Sequence, residues 1–150
     1  MAYRTVFIKG DPRYDEADAS GAITPGFLLE EDSNSDVQAH STAGGEAAPF
    51  VAFENELEGE GIDTDYSSGD RCRYLVCKKG DEVVMRIANG EDIDIGDKLV
   101  SNGDGKLKEL TADSSGVVDE EAVIAISKDD VDMSGSSAVD PANKCKVTII

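Results

Sequence analysis

Apolar and polar residues alternate with a period of two along most of this chain. In the stretch from Asp81 to Ala88, Val83, Met85 and Ile87 share one face, and Val84, Arg86 and Ala88 share the other. From Arg71 to Cys77, the set Cys72, Tyr74 and Val76 opposes Arg71, Arg73, Leu75 and Cys77. At the C-terminus, Cys145, Val147 and Ile149 oppose Lys144, Lys146 and Thr148. Successive side chains of an extended strand point to opposite faces, so each of these stretches predicts a strand. VVDEEAVIAIS carries five β-branched aliphatic residues and predicts a buried strand over Val123–Ile126. YRTVFIK near the start, PFVAFEN further on and a short piece around Val37 are further candidates. The pattern predicts roughly seven to nine short strands and no long helix, the signature of a barrel or a sandwich.

Glycine punctuates these strands in a recurrent way. Gly-Asp stands just before a strand candidate at Gly69-Asp70, Gly80-Asp81 and Gly96-Asp97. Gly reaches positive φ at no steric cost, and an Asp side chain can accept hydrogen bonds from nearby amides. These pairs predict turns that lead into strands. Their spacings are uneven, so they do not define a repeat array. Asn102-Gly103-Asp104-Gly105 predicts a hairpin tip between strands at Lys98–Ser101 and Lys106–Leu110, with its carboxylates facing water.

Two acidic stretches lack periodicity, residues 11–21 and residues 30–48, and residues 134–144 read as a loop into the last strand. The expected organisation is an N-terminal arm and loop over residues 1–20, then one β-rich domain over residues 21–150. The fold class expected is all-β, a compact barrel or sandwich of short antiparallel strands with an extended N-terminal arm. That arm, with Tyr3, Arg4, Val6, Phe7 and Ile8, is the candidate interface with a neighbouring subunit, because a free strand can add to a neighbour's sheet edge.

Charge narrows the classes of partner. Thirty-two acidic residues against fourteen basic ones give a net charge of −18. Binding to nucleic acid needs clustered Lys and Arg, and anionic membranes repel such a chain, so neither partner is expected. The acidity has two readings: a strongly solvated surface, or adaptation to high salt, where screening removes self-repulsion. Arg71, Arg73, Lys78 and Lys79 form the one basic cluster, read as local partners for Asp and Glu. The start of the chain lacks the apolar core of a signal peptide, and no apolar run approaches the roughly 20 residues of a membrane helix.

Residue sets with the spacing of a reactive or metal-binding site are few. Three cysteines, Cys72, Cys77 and Cys145, stand without a metal-ligand spacing. Cys72 and Cys77 bound a single strand and lie about 16 Å apart along it, beyond disulfide reach. Cys145 could pair with one of them only if its strand lies alongside, so free, partly buried thiols are the expectation. The single histidine, His40, sits in a loop-like context and reads as a surface residue. A calcium loop needs oxygen ligands at fixed positions with Gly at the sixth. Starting at Asp97, Leu99 and Lys108 fall where oxygens are required; starting at Asp92, Gly96 and Gly103 do. Phosphate-binding glycine loops and a serine nucleophile elbow are absent. No catalytic residue, cofactor or metal is expected.

One order of motifs carries a resemblance. YRTVFIKGDP is followed by AITPGFLLE, VQAHSTAGG and PFVAFENELEGEGIDTDYSSGD. RYLVCKKGDEVVMRIANGEDIDIGDKLVSNGDGKL and a closing VTII strand complete it. In this order the chain resembles small head decoration proteins, or capsid cement proteins, of tailed viruses. The likeness covers nearly the whole chain, and ENELEGEGID with the following YSSGD is its most specific part. It implies a β-rich virion structural protein made in the host cytoplasm and placed on the outer capsid surface. It further implies a homotrimer, a major capsid protein as partner, docking at junctions between capsomers, and no catalysis. Two rivals stand beside it: another virion component, such as a tail or head-fibre protein, and a β-barrel module that binds a cation or small molecule.

Overall fold

In the computed structural model, which describes residues 3–150, the alternating stretches form thirteen short strands. They are β1 (Phe7–Lys9), β2 (Arg13–Asp18), β3 (Leu29–Glu31), β4 (Val37–Ala39), β5 (Phe50–Ala52), β6 (Arg71–Val76) and β7 (Glu82–Arg86). There follow β8 (Asp92–Ile93), β9 (Lys98–Ser101), β10 (Leu107–Glu109), β11 (Ala125–Ser127), β12 (Val131–Asp132) and β13 (Lys144–Ile149). Two single turns of 3₁₀ helix, Glu56–Glu58 and Glu120–Ala122, are the helical content of the described residues. The strands outnumber the expected set because several span two or three residues, too short to show a period.

All strand pairs are antiparallel. One sheet has six strands in the order β1-β7-β13-β11-β9-β10, and a second has three in the order β2-β6-β5. Two hairpin-sized sheets, β3-β4 and β12-β8, complete the fold. A parallel bridge between Ile87 and Leu107 brings β10 back beside the end of β7 without closing a barrel. The architecture is a sandwich with open sheets.

Two apolar clusters fill it, and β6 lies between them. Leu75 and Cys77 face the larger one with Leu28, Val51, Phe53, Met85, Leu99, Leu107 and Val147. Cys72 and Tyr74 face the smaller one with Ile23, Leu29, Val37, Ala52 and Tyr66. The alternation Leu28/Leu29 and Val51/Ala52 sends neighbouring residues into different clusters for the same reason. β13 has one face buried and the other half-exposed, as its sequence predicts. β7 is buried on both faces from Val83 to Arg86, so its alternation separates two kinds of interior rather than core from solvent.

The three Gly-Asp turns share one geometry. Gly69, Gly80 and Gly96 have φ of 90°, 96° and 97°. Each following Asp accepts from the amide three residues earlier: Asp70 from Ser67, Asp81 from Lys78 and Asp97 from Asp94, all at 2.8 Å. The turns lead into β6, β7 and β9, so a repeated sequence signal produces a repeated structural device. The 102–105 tip joins β9 to β10 as expected, and Asp104 is exposed. The tip is nonetheless anchored: Leu28 donates to the Gly105 carbonyl at 2.8 Å, and Gly105 donates to the His40 carbonyl at 3.2 Å.

Two expectations are corrected. Residues 11–21 are not loose, because β2 pairs with β6 over its whole length, from Arg13 opposite Val76 to Asp18 opposite Arg71. Nor is the N-terminal segment free of the body over the described residues. β1 pairs with β7, Val6 is fully buried, and Val84 donates to the Val6 carbonyl at 2.8 Å.

Candidate functional site

The N-terminal segment contains every residue that the sequence nominates as an interface, and it lies along the edge of the six-stranded sheet. Acidic side chains from other parts of the fold hold it there. The Tyr3 hydroxyl donates to Asp129 Oδ2 at 2.5 Å, and Lys146 donates its amide to the same oxygen at 2.9 Å. The Tyr3 phenol is raised well above its ordinary pKa by burial, then by the bond to Asp129 and that carboxylate's charge. The buried Glu54 receives the Thr5 hydroxyl and, at 3.0 Å, the Val6 amide. Asp81, also buried, receives the Asp11 amide at 2.9 Å. Gly10 is required at this crossing, since its φ is 126° and a Cβ there would sit 2.1 Å from Asp81 Oδ1.

The five nominated residues therefore divide. Val6 is core and unavailable to a neighbour. Tyr3, Phe7 and Ile8 are half-buried and pack against the larger cluster. Arg4 is exposed. What remains open to a partner is the outer edge of β1, with Arg4 beside it.

The basic cluster behaves as local pairing. Arg71 reaches Glu16 at 3.3 Å and Asp18 at 3.2 Å, Arg73 reaches Glu56 at 3.3 Å, and Lys78 reaches Asp11 at 3.0 Å. Arg73 also lies over the rings of Tyr14 and Phe53, 5.7 Å and 5.4 Å from their centres, within cation–π range.

His40 is a correction to the sequence reading: it is buried. Its Nδ1 lies 2.7 Å from Ser101 Oγ, and its Nε2 lies 3.1 Å from the Glu46 carbonyl and 3.7 Å from Glu30 Oε2. A carbonyl only accepts, so Nε2 carries hydrogen and the ring ties residues 41–46 to β9. Burial pushes the Glu30 carboxyl up, but bonds from Ser41 and Gln38 and the neighbouring His40 outweigh it and hold the group below its ordinary value. Ser101 is buried and its Oγ accepts from the Gly103 amide at 3.1 Å, so the Ser101–His40 pair serves the hairpin.

The three thiols are free and buried. Burial pushes Cys72 and Cys77 up to about 12 and Cys145 up to about 11. They are core residues in the protonated form at neutral pH. Among the described residues no three His, Cys, Asp or Glu side chains converge as a metal ion would require. No helix among them is long and apolar enough to cross a membrane.

The sheets and the acid-anchored N-terminal edge make an all-β, open sandwich. The same fold occurs in the head fiber gp8.5 N base of bacteriophage phi29, with a TM-score of 0.56. The likeness covers 93% of this chain and 95% of that one at 13% sequence identity. No protein-family model and no curated protein matches the chain.

Proposed function

We propose that this chain is a structural component of a tailed-virus particle, carried on the outer surface of the head. The observation that supports this most is the end-to-end likeness of fold to a phage head fibre base, covering more than nine-tenths of both chains. The order of sequence motifs supports the same class independently. In this reading the protein decorates and stabilises the capsid by binding the major capsid protein where capsomers meet, as a homotrimer. Three linked copies bind more tightly than one through effective concentration. The open edge of β1, with Arg4, supplies one contact by strand addition. An acidic surface suits this role, since it keeps the free subunit soluble before assembly.

A second reading has a specific observation behind it: the neighbour is a fibre base, so this chain could anchor a projection instead of cementing the lattice. Adding purified protein to heads that lack it separates the two. A cement raises the temperature at which heads rupture and saturates at lattice junctions. A fibre base binds without changing rupture. Failure to bind heads at all contradicts both readings.

A further inference from the structure

A small cavity of about 250 Å³ opens beside the buried Arg86. Its walls come from four separated parts of the chain: Thr24 and Phe27, Asp63 and Asp65, Arg86, and Asp140 to Asn143. The floor is fixed. Arg86 is 1% exposed and donates through Nε to Pro25 O at 2.9 Å and through Nη1 to Asn143 Oδ1 at 3.2 Å. Its Nη2 donates to Ile62 O at 2.6 Å and Asp63 Oδ1 at 3.1 Å. A guanidinium has five N–H groups. Four are used, and the fifth, on Nη1, has no acceptor among the described residues.

The walls are fixed as well. Lys144 Nζ holds both oxygens of Asp63, at 3.0 Å and 3.1 Å, and Lys106 Nζ holds Asp140 Oδ2 at 2.8 Å. Burial alone would raise the Asp63 carboxyl, but Lys144 and Arg86 outweigh it and keep it ionised as an acceptor. Phe27 is half-buried, and its ring is backed by Gly105, where a Cβ would come within 2.6 Å of Phe27 Cδ2.

Charge is balanced here, in contrast to the rest of the surface. Asp63, Asp65 and Asp140 are offset by Arg86, Lys106 and Lys144, three against three, in a chain of net charge −18. A free anion meets three carboxylates. A free cation finds only Asp65 outside an ion pair, since lysines hold Asp63 and Asp140, and no three ligand-type side chains converge among the described residues. An apolar ligand would strip water from ionised groups at a cost nothing repays. What fits is a neutral molecule rich in hydroxyl groups with one apolar face. The volume falls below the roughly 300–1,000 Å³ that accepts drug-sized ligands, so it has room for one small ring.

We propose that this cavity binds a single neutral sugar ring. Its hydroxyls donate to Asp65, Asp63 and Asp140 and accept from the spare Arg86 N–H and the Thr24 hydroxyl, while its C–H face lies against Phe27. The ring is either a free monosaccharide or the end residue of a polysaccharide. The site is independent of where on a particle the protein sits.

Saturation-transfer NMR tests this on the full chain, using methyl glycosides of neutral hexoses and a matching oligosaccharide. The expected result is transfer at millimolar concentration. Asp65→Ala should weaken it about tenfold and Thr24→Val about threefold, because each removes one hydroxyl contact. Neither side chain belongs to the Arg86 network, so unchanged melting curves verify that the fold is intact. Tighter binding of the oligosaccharide identifies a polysaccharide end, and equal binding identifies the free ring; both support the site. It is overturned by absence of transfer to every neutral sugar. It is equally overturned by transfer that both variants leave unchanged, or by preference for an amino or acidic sugar over its neutral parent.

Discussion

The buried guanidinium of Arg86 donates from Nε to the main-chain oxygen of Pro25, 2.9 Å away and 61 residues earlier in the chain. With its other bonds this one side chain ties β7 to the segment before β3, to Ile62–Asp63 and to Asn143 just before β13. Asn143 in turn exchanges bonds with Ile87, donating through Nδ2 to Ile87 O at 3.2 Å and accepting from Ile87 N at its own carbonyl at 2.9 Å.

Removing this tie leaves buried acceptors without donors. Arg86→Ala should lower stability by about 3–5 kcal/mol, the range for breaking a buried charged network. Arg86→Lys should recover only a fraction, since an ammonium cannot reproduce the planar fork. Chemical denaturation checks both.

The three Gly-Asp turns permit an internal comparison. Asp70, exposed, and Asp97, half-buried, each receive the one turn amide, whereas Asp81 is 4% exposed and also receives the Asp11 amide. Asp70→Ala and Asp97→Ala should cost about 1 kcal/mol each. Asp81→Ala should cost about 2–4 kcal/mol, because a buried acceptor and an anchor of the N-terminal segment are lost together. Hydrogen exchange should show faster exchange at residues 6–11 in the Asp81 variant alone.

Acid has two opposing effects. Asp92, raised chiefly by the charge of Asp132, and Glu109, raised by burial and then by Asp97, Glu91 and their neighbours, bind protons more readily folded than unfolded. Their contribution therefore grows as pH falls toward the carboxylate range. Asp63 and Glu30 are lowered, so theirs is present above an ordinary carboxylate pKa of about 4 and is lost as pH falls further. Stability should rise on mild acidification and then fall. Asp92→Asn should flatten the rise and Asp63→Asn the fall, as read by melting temperature against pH.

How far the sequence could be read depends on whether each element faces water on one side. β13 was legible residue by residue because Lys144, Lys146 and Thr148 alternate with buried Cys145, Val147 and Ile149. β2 was not, because only Ala17 is buried while Arg13, Tyr14, Asp15, Glu16 and Asp18 are exposed. A strand held by backbone bonds and by Arg71 on Glu16 and Asp18 carries no hydrophobic period. His40 looked like a loop residue since nothing local announces Ser101, 61 positions away. The cavity has one sequence signal, an arginine within Val83-Val84-Met85-Arg86-Ile87. Its other walls meet only in space.

Net charge predicts the response to salt. At −18, added salt should raise the melting temperature, since the Debye length shrinks from about 10 Å at 0.1 M to about 3 Å at 1 M. Greater stability in dilute buffer than in molar salt would contradict both the self-repulsion argument and the reading of the acidity as adaptation to high salt.

The central claim concerns location on a particle, and labelling tests it most directly. Antibody against this chain, applied to purified heads and purified tails of tailed-virus particles from its source, should on the proposed function decorate the outer face of heads in a regular array and leave tails bare. Label confined to tails, or its absence from both, would contradict the assignment.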